Sequence, residues 1–408
     1  MLPFTNFFVA WVRLMFEHFS LAPPDSILGL NAAYDKDPRD GKLNLTVGVF
    51  KDDAGRTPIL ESVKLAEAKI FQDQTTKGYL PIEGGKDYIE QVNRLVLGPE
   101  FDMSRVATAH TPGGTGALRT GADTLSKVLA GSRFWVSNPT WANHNAVFGA
   151  AGFETLSYRY LNAAKTGLDF DGMLHQLSQE GRSGDVVCLH ACCHNPTGID
   201  PTLEQWKEIS DVLAKKKMLP FVDFAYQGFG DGLAEDARPI SILLEQHPEL
   251  VICASFSKNF GLYSERVGAL MMISGSPKST EAVMSQIRTS IRCNYSNPPR
   301  HGEAIVATIL SDPQLSKKWR GEVDQMRSRI HSMRRSLIQG LQARGKDFGF
   351  LADQKGMFSY TGLNPMQADW LKKEKGIYIV GTGRINVAGL TSSSMESICE
   401  AIAQACSI

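Results

Sequence analysis

The chain has 408 residues, and its 43 basic side chains balance 43 acidic ones. Hydrophobic residues make up 43% and charged residues 21%, a globular composition with length enough for two domains. Zero net charge offers no footprint for a nucleic acid or an anionic membrane surface, and no apolar run reaches the length of a membrane span.

Residues 1–14 are apolar and aromatic, with one arginine and no acid. They lack the basic start and small-residue cleavage site of a secretory signal. They fit either a short organellar targeting segment or residues upstream of a true start at Met15. Thr57-Pro58 predicts an N-cap followed by proline at the first helical position, with Ile59, Val63, Ala66 and Ile70 on one helical face. Four apolar runs then read as strands. Phe134-Trp135-Val136 ends at Asn138-Pro139, and Val186 to Leu189 ends at the loop His194-Asn195-Pro196-Thr197-Gly198. Pro220-Phe221-Val222 ends at Asp223, and Val251 to Ala254 ends at Ser255. Helical stretches separate most of them, the α/β pattern of a mostly parallel sheet covered by helices on both faces. A long helix is predicted from Pro313 to about Gln342, followed by a short α+β tail. This gives an N-terminal extension at 1–14, a large domain at 58–324, and a smaller domain from 15–57 and 325–408.

Seven cysteines are present, none in C-x-x-C spacing, and several lie inside apolar runs. They read as buried free thiols in a reducing compartment. No metal is expected, because Cys192, Cys193 and His194 are consecutive and cannot easily wrap one tetrahedral zinc ion.

The polar and glycine-rich residues cluster just after the strands, where open α/β sheets bind ligands. Thr111-Pro112-Gly113-Gly114-Thr115-Gly116 leads into an apolar helix and can cradle a phosphate on free N–H groups. Alone it is also a plain glycine turn, and it is no Walker loop, since no Gly-Lys-Ser/Thr follows. Lys258 sits between Ser257 and Asn259 at a strand end, with Arg266 shortly after. A lysine there forms a Schiff base with a carbonyl if its amine loses a proton. Ser255, Ser257 and Arg266 can hold a phosphate, with Arg266 supplying a fork of donors. The bland alternative is a solvated lysine. Asp223 after an apolar strand is costly unless it meets a cation, and a protonated pyridine nitrogen is one. Tyr226 and Asn195 can reach a phenolate oxygen on such a ring, and Trp141 can stack on it or belong to the core.

These residues carry a resemblance. From about Met15 onward the chain resembles the aspartate and aromatic-amino-acid aminotransferases, and within them the bacterial-type aspartate enzymes. The likeness runs through TPGGTGAL, CCHNPTG, DFAYQGF, SKNFGLYSERVGA, NYSNPP and GMFSYTGL. It implies fold type I of the pyridoxal-5′-phosphate (PLP) transferases and a homodimer with shared sites. By position it implies that Lys258 carries the cofactor as a Schiff base and moves the proton. Asp223 then pairs with the ring nitrogen, supported by His144 and His190. Tyr226 and Asn195 contact the phenolate oxygen, and Trp141 stacks on the ring. Gly114, Thr115, Ser255, Ser257 and Arg266 hold the phosphate, with Tyr79 reaching in from the other subunit. Arg384 grips the substrate α-carboxylate, Gly48 lies against the substrate, and the neighbour's Arg292 reads the side chain.

The implied reaction is reversible amino transfer between L-aspartate and 2-oxoglutarate, with side activity on aromatic amino acids. The alternative is an aromatic-amino-acid aminotransferase. A lyase or decarboxylase on the same fold is opposed by the Arg384 and Arg292 pair, which suits a dicarboxylic substrate. A regulator that binds PLP without turnover is opposed by the want of a basic DNA-binding segment. The expected location is cytoplasmic, or mitochondrial if residues 1–14 are a targeting segment.

Overall fold

The computed structural model describes residues 16–22 and 28–408. The expectations for residues 1–14 therefore lie outside the described residues. In chain order the strands are β1 (Leu43–Asn44), β2 (Val106–Pro112), β3 (Arg133–Asn138), β4 (Glu154–Arg159), β5 (Val186–His190), β6 (Leu219–Phe224), β7 (Leu250–Ser255), β8 (Val267–Ile273), β9 (Phe358–Tyr360), β10 (Ile377–Tyr378) and β11 (Arg384–Asn386).

Seven of these strands build one sheet in the order β2-β8-β7-β6-β5-β3-β4. β8 runs antiparallel to both its neighbours, and the other pairings are parallel. β7 and β8 are buried along their whole length, which is why they read as unbroken apolar runs and not as alternating ones. β4, at the edge, keeps several exposed positions. Helices cross between successive parallel strands, so the α/β class with a mostly parallel sheet holds.

One helix start differs from the expectation at Thr57-Pro58. The helix runs Glu61–Asp73, its N-cap is Leu60, and Leu60 makes no side-chain cap. A distant carboxylate does that work: Glu322 Oε1 accepts from the Glu61 N–H at 2.6 Å, and Glu322 Oε2 accepts from the Ser62 hydroxyl at 2.5 Å. Ile59 thus lies before the helix and is exposed, while Val63 and Ala66 are buried as their spacing implied. The thiols divide too. Cys188, Cys192, Cys193, Cys253 and Cys399 are buried, but Cys293 is exposed and Cys406 half-buried. Cys293 falls on a solvent-facing side of the Pro277–Asn294 helix, which buries only Thr280, Ile287, Ser290 and Ile291.

The long helix spans Pro313–Gln342, capped by Asp312, whose carboxylate accepts from Gln314 N and Leu315 N. Its inward stripe, Trp319, Val323, Met326, Ile330, Met333, Leu337 and Leu341, follows the three- and four-residue spacing of one helix face. Trp319 stacks on Phe260 at 4.3 Å and donates its indole N–H to Asn259 O at 2.8 Å. The helix therefore braces the segment that carries Lys258. At its other end Arg334 donates to Ser359 Oγ at 3.1 Å and to the Gly356 carbonyl. Two small sheets complete the fold, β1 parallel to β10 and β9 antiparallel to β11. The second sheet delivers Phe358 and Arg384 toward the large one.

Candidate active site

The ends of β2, β3, β5, β6 and β7 open onto one edge of the sheet, and β8 begins there just after Arg266. A cavity of about 630 Å³ lies against this edge. Its lining includes Gly48, Gly114, Thr115, Trp141, Asn195, Asp223, Tyr226, Ser255, Ser257, Lys258, Arg266 and Arg384. Two expected residues are not brought in. Tyr79 and Arg292 do not line it, and Tyr79 is 95% exposed.

At one end the Gly113–Leu125 helix starts directly after β2, and its first turn lines the cavity with Gly114 and Thr115. Gly113 has φ +71°, and a Cβ there would strike the Arg266 guanidinium. The Gly113 N–H donates to Arg266 O at 3.0 Å, which ties the glycine turn to the segment that carries Arg266. Arg266 itself sits at φ 55°, left-handed for a residue with a side chain. Such a position costs about 1–2 kcal/mol and persists only where the surroundings impose it, as at ligand clamps. Arg266 Nη1 donates to Tyr263 O at 2.9 Å and to Ser257 Oγ at 3.4 Å. Glycine N–H groups, two serine hydroxyls and a guanidinium form a donor set suited to a phosphate dianion.

At the other end Asp223 stands between His190 on β5 and Cys253 on β7. His144 Nε2 lies 3.2 Å from its Oδ2, and the Thr140 hydroxyl holds His144 Nδ1 at 2.8 Å. Burial pushes the Asp223 carboxyl up, but the His144 hydrogen bond and nearby positive charge outweigh it and leave the group below its ordinary value. His190 is pushed down to about 3, by burial first and the His144 charge second. It is therefore a neutral neighbour, and its Nδ1 accepts from Asn195 N at 3.3 Å.

Lys258 lies between these ends, its Nζ 4.7 Å from the centre of the Tyr226 ring. Burial, with the Arg266 charge acting in the same direction, pulls its amine down to about 8 against the pull of Asp223. Burial and the Asp223 charge push the Tyr226 hydroxyl well above its usual range, so it stays protonated. Asn195 Nδ2 donates to the Tyr226 oxygen at 3.4 Å, and Asn195 Oδ1 accepts from Arg384 Nη1 at 3.1 Å. Arg384 also donates to Thr46 O at 2.5 Å, and its guanidinium lies 4.1 Å above the Phe358 ring. Its Nε is buried without a hydrogen-bond partner among the described residues. Burial lowers this guanidinium only to about 10, so it remains a cation at neutral pH. A buried cation with a free donor is a seat for a carboxylate.

The lowered lysine gives a direct expectation. In the protein without cofactor, capture of a small aldehyde by Lys258, trapped with borohydride and read by peptide mass, should climb with pH and level off above about 8. Only the neutral amine attacks, so the rate should change about tenfold per pH unit below that point. A plateau reached only near the ordinary lysine range would contradict the burial described above.

The description of class I and II aminotransferases matches residues 40–402. The chain belongs to this aminotransferase family. Among its relatives, an aspartate aminotransferase of Escherichia coli (strain K12) is 47% identical over 393 residues, covering 95% of this chain and 99% of the relative. An aromatic-amino-acid aminotransferase of Pseudomonas aeruginosa is 44% identical, covering 96% of this chain and 99% of the relative. The solved aromatic-amino-acid aminotransferase from Burkholderia pseudomallei, covalently bound to pyridoxal phosphate, superposes with a TM-score of 0.93. It is 44% identical and covers 96% of this chain and 99% of that one.

This aminotransferase cavity also contains residues that strand-end reasoning passes over: Val47, Leu118, Ala142, Asn143, Ala225, Tyr263 and Phe358. Tyr263 receives the Phe50 N–H at 2.9 Å and so fixes the strip that holds Gly48. Phe358 explains Gly48, since a Cβ there would lie 2.6 Å from Phe358 Cζ. The signal was present in GMFSYTGL, but nothing in the sequence set that aromatic against residue 48.

Proposed function

We propose that the protein is a PLP-dependent aspartate aminotransferase, exchanging the amino group between L-aspartate and 2-oxoglutarate to give oxaloacetate and L-glutamate. The observation that carries this reading is one cavity joining Lys258, Asp223 and the Arg266 donor set to the free Nε of buried Arg384. These residues fit the cofactor: a phosphate cradle at one end, an anion at the other, an amine between. When bound, PLP supplies an aldehyde carbon for the amino group and a ring that accepts the electron pair left at the substrate Cα.

The chain's own residues do the rest. Gly114, Thr115, Ser255, Ser257 and Arg266 hold the phosphate. Asp223 keeps a proton on the ring nitrogen, and the His144 contact keeps Asp223 ionised. Tyr226 and Asn195 donate to the phenolate oxygen, and Trp141 covers one ring face. Lys258 would take the proton from the substrate Cα and return it across the nitrogen, to the carbon that was the aldehyde. Arg384 grips the α-carboxylate, and Gly48 leaves room for the substrate. That grip orients the Cα–H bond for removal and disfavours loss of the carboxylate.

We further propose a homodimer in which Tyr79 and Arg292 serve the neighbour's cavity; both are exposed in this chain and absent from its own. The proposed location is cytoplasmic, and the mitochondrial alternative rests on residues 1–14. No helix among the described residues is long and apolar enough to cross a membrane. The division into 58–324 and 15–57 with 325–408 is supported by the separate small sheets.

Side-chain preference follows from Arg292, whose fork matches a second carboxylate through two parallel hydrogen bonds. Once the neighbouring subunit covers it, a guanidinium left unpaired costs about 1–3 kcal/mol, so an aromatic substrate must displace Arg292 or bind weakly. Val49, Lys51, Thr57, Thr115 and Asn297 resemble the aspartate branch, while Gly78 departs from it and loosens the pocket. In a donor panel with 2-oxoglutarate, aspartate should give the highest kcat/KM, with measurable phenylalanine and tyrosine turnover. Arg292→Asp should favour cationic donors and cut aspartate use sharply. A wild-type enzyme that used phenylalanine or tyrosine better than aspartate would make it an aromatic-amino-acid aminotransferase instead.

A further inference from the structure

Tyr79 and Arg292 are far apart in sequence, yet their segments are fastened to each other. Arg288 lies four residues before Arg292 on the Pro277–Asn294 helix, so the two guanidinium groups share a helix face. Arg288 makes a two-point pair with Glu83: Nε to Oε2 at 3.0 Å and Nη2 to Oε1 at 2.6 Å. Glu83 lies four residues after Tyr79, in the connection that leads to the Lys86–Leu97 helix.

The same connection is held at three further points. Asn297 Nδ2, just beyond the Arg292 helix, donates to Leu80 O at 2.8 Å. The His110 N–H on β2 donates to Glu83 O at 2.8 Å. Glu303, 4% exposed, accepts from Gly85 N at 3.2 Å and faces His110 Nδ1 at 2.9 Å. The backbone from Leu80 to Gly85 is thus fixed to β2 and to the helix end that bears Arg292. Tyr79 projects from this anchored strip.

We propose that Glu83 and Arg288 are positioning residues that set the spacing between Tyr79 and Arg292, so that one subunit presents both to a single neighbouring site. This rests on the shared-site reading given above. The Arg288 side chain is 47% exposed and that of Glu83 21%, so the pair adds little to stability. Its effect is geometric. Arg292 must meet a substrate carboxylate in two bonds at once, and a small displacement of its helix end spoils that fit.

The test uses hybrid dimers with one Lys258→Ala subunit, whose own site is dead, and one subunit with a working lysine. Arg288→Met in the dead subunit should raise the aspartate KM of the live site about five- to tenfold while kcat changes less than about twofold. The phenylalanine KM should stay put, and Arg288→Met in the live subunit should leave the live site unchanged. Arg288→Lys, which keeps the charge but makes one bond to Glu83 in place of two, should restore only part of the loss. In the Arg288→Met homodimer, calorimetric binding of succinate to the holoenzyme should weaken by the same factor. Arg292→Asp in the dead subunit provides the reference. If it disables aspartate use at the live site and Arg288→Met does not, the positioning proposal is wrong and site sharing stands. If it leaves the live site unaffected, site sharing fails and the proposal with it. An equal effect of Arg288→Met in either subunit would also overturn it, as a general loosening of the fold.

Discussion

Lys258→Ala is expected to give a folded protein that takes up PLP without a covalent bond and transaminates at least about 10⁴-fold more slowly, the scale of a lost general base. The amine has two duties in the proposed mechanism, holding the cofactor and moving the Cα proton, and alanine removes both. Folding should not suffer. The wild-type amine is pulled from 10.5 down to about 8 by burial, so below that range its buried charge costs stability. The cost fades as pH rises from about 8 toward 10.5, because the unfolded chain then holds the proton that the folded one has lost. Without that charge, the alanine apoprotein should melt at or above the wild-type apoprotein at pH 7. The backbone turn is independent of the side chain, since Lys258 O accepts from Gly261 N at 3.0 Å. Borohydride reduction of the wild type followed by peptide mapping should label Lys258. A label on any other lysine would end the assignment.

Asp223→Asn should lower turnover about 10³-fold or more while the fold survives, since a preorganised charge at the reacting system is worth several kcal/mol. The substitution conserves shape. An amide can still meet His144 Nε2, which now lies 3.2 Å from the carboxylate. What it loses is the anion, and with it the reason for the ring nitrogen to keep a proton in a buried place. Thermal melting at neutral pH should be slightly below wild type, because surroundings that hold the Asp223 carboxyl below its ordinary value stabilise its ionised form, and that contribution is lost with the anion. Single-turnover reaction with aspartate is the cleanest readout. An asparagine variant of near-normal rate would remove Asp223 from the mechanism.

The strand-end residues were legible in the sequence because each follows a run that is buried on both faces. Polarity changes abruptly at Asp223, Ser255 and His194, and a parallel sheet gathers such points on one edge. The helix start at Glu61 was not legible, since its cap is Glu322 from another helix and no local pattern announces a partner so distant. Arg384 belongs to a three-residue strand, too short for periodicity, so resemblance alone pointed to it. Tyr79 and Arg292 are harder still. Their proposed work lies in a second copy of the chain, and within one copy they read as exposed surface residues.

The reversed strand β8 has a consequence for how this chain tolerates change in length. Each parallel step between neighbours in the large sheet crosses a face through a helix, and extra residues there can loop into solvent. The step from β7 to β8 has no such detour: residues 256–266 leave the sheet and re-enter it beside themselves. Lys258 and Arg266 both sit on that short return, so its length acts as a ruler between the proposed covalent anchor and the proposed phosphate grip. A chain cut, permuted or extended at the helical crossovers keeps the ruler, whereas one residue added or lost between 258 and 266 changes it.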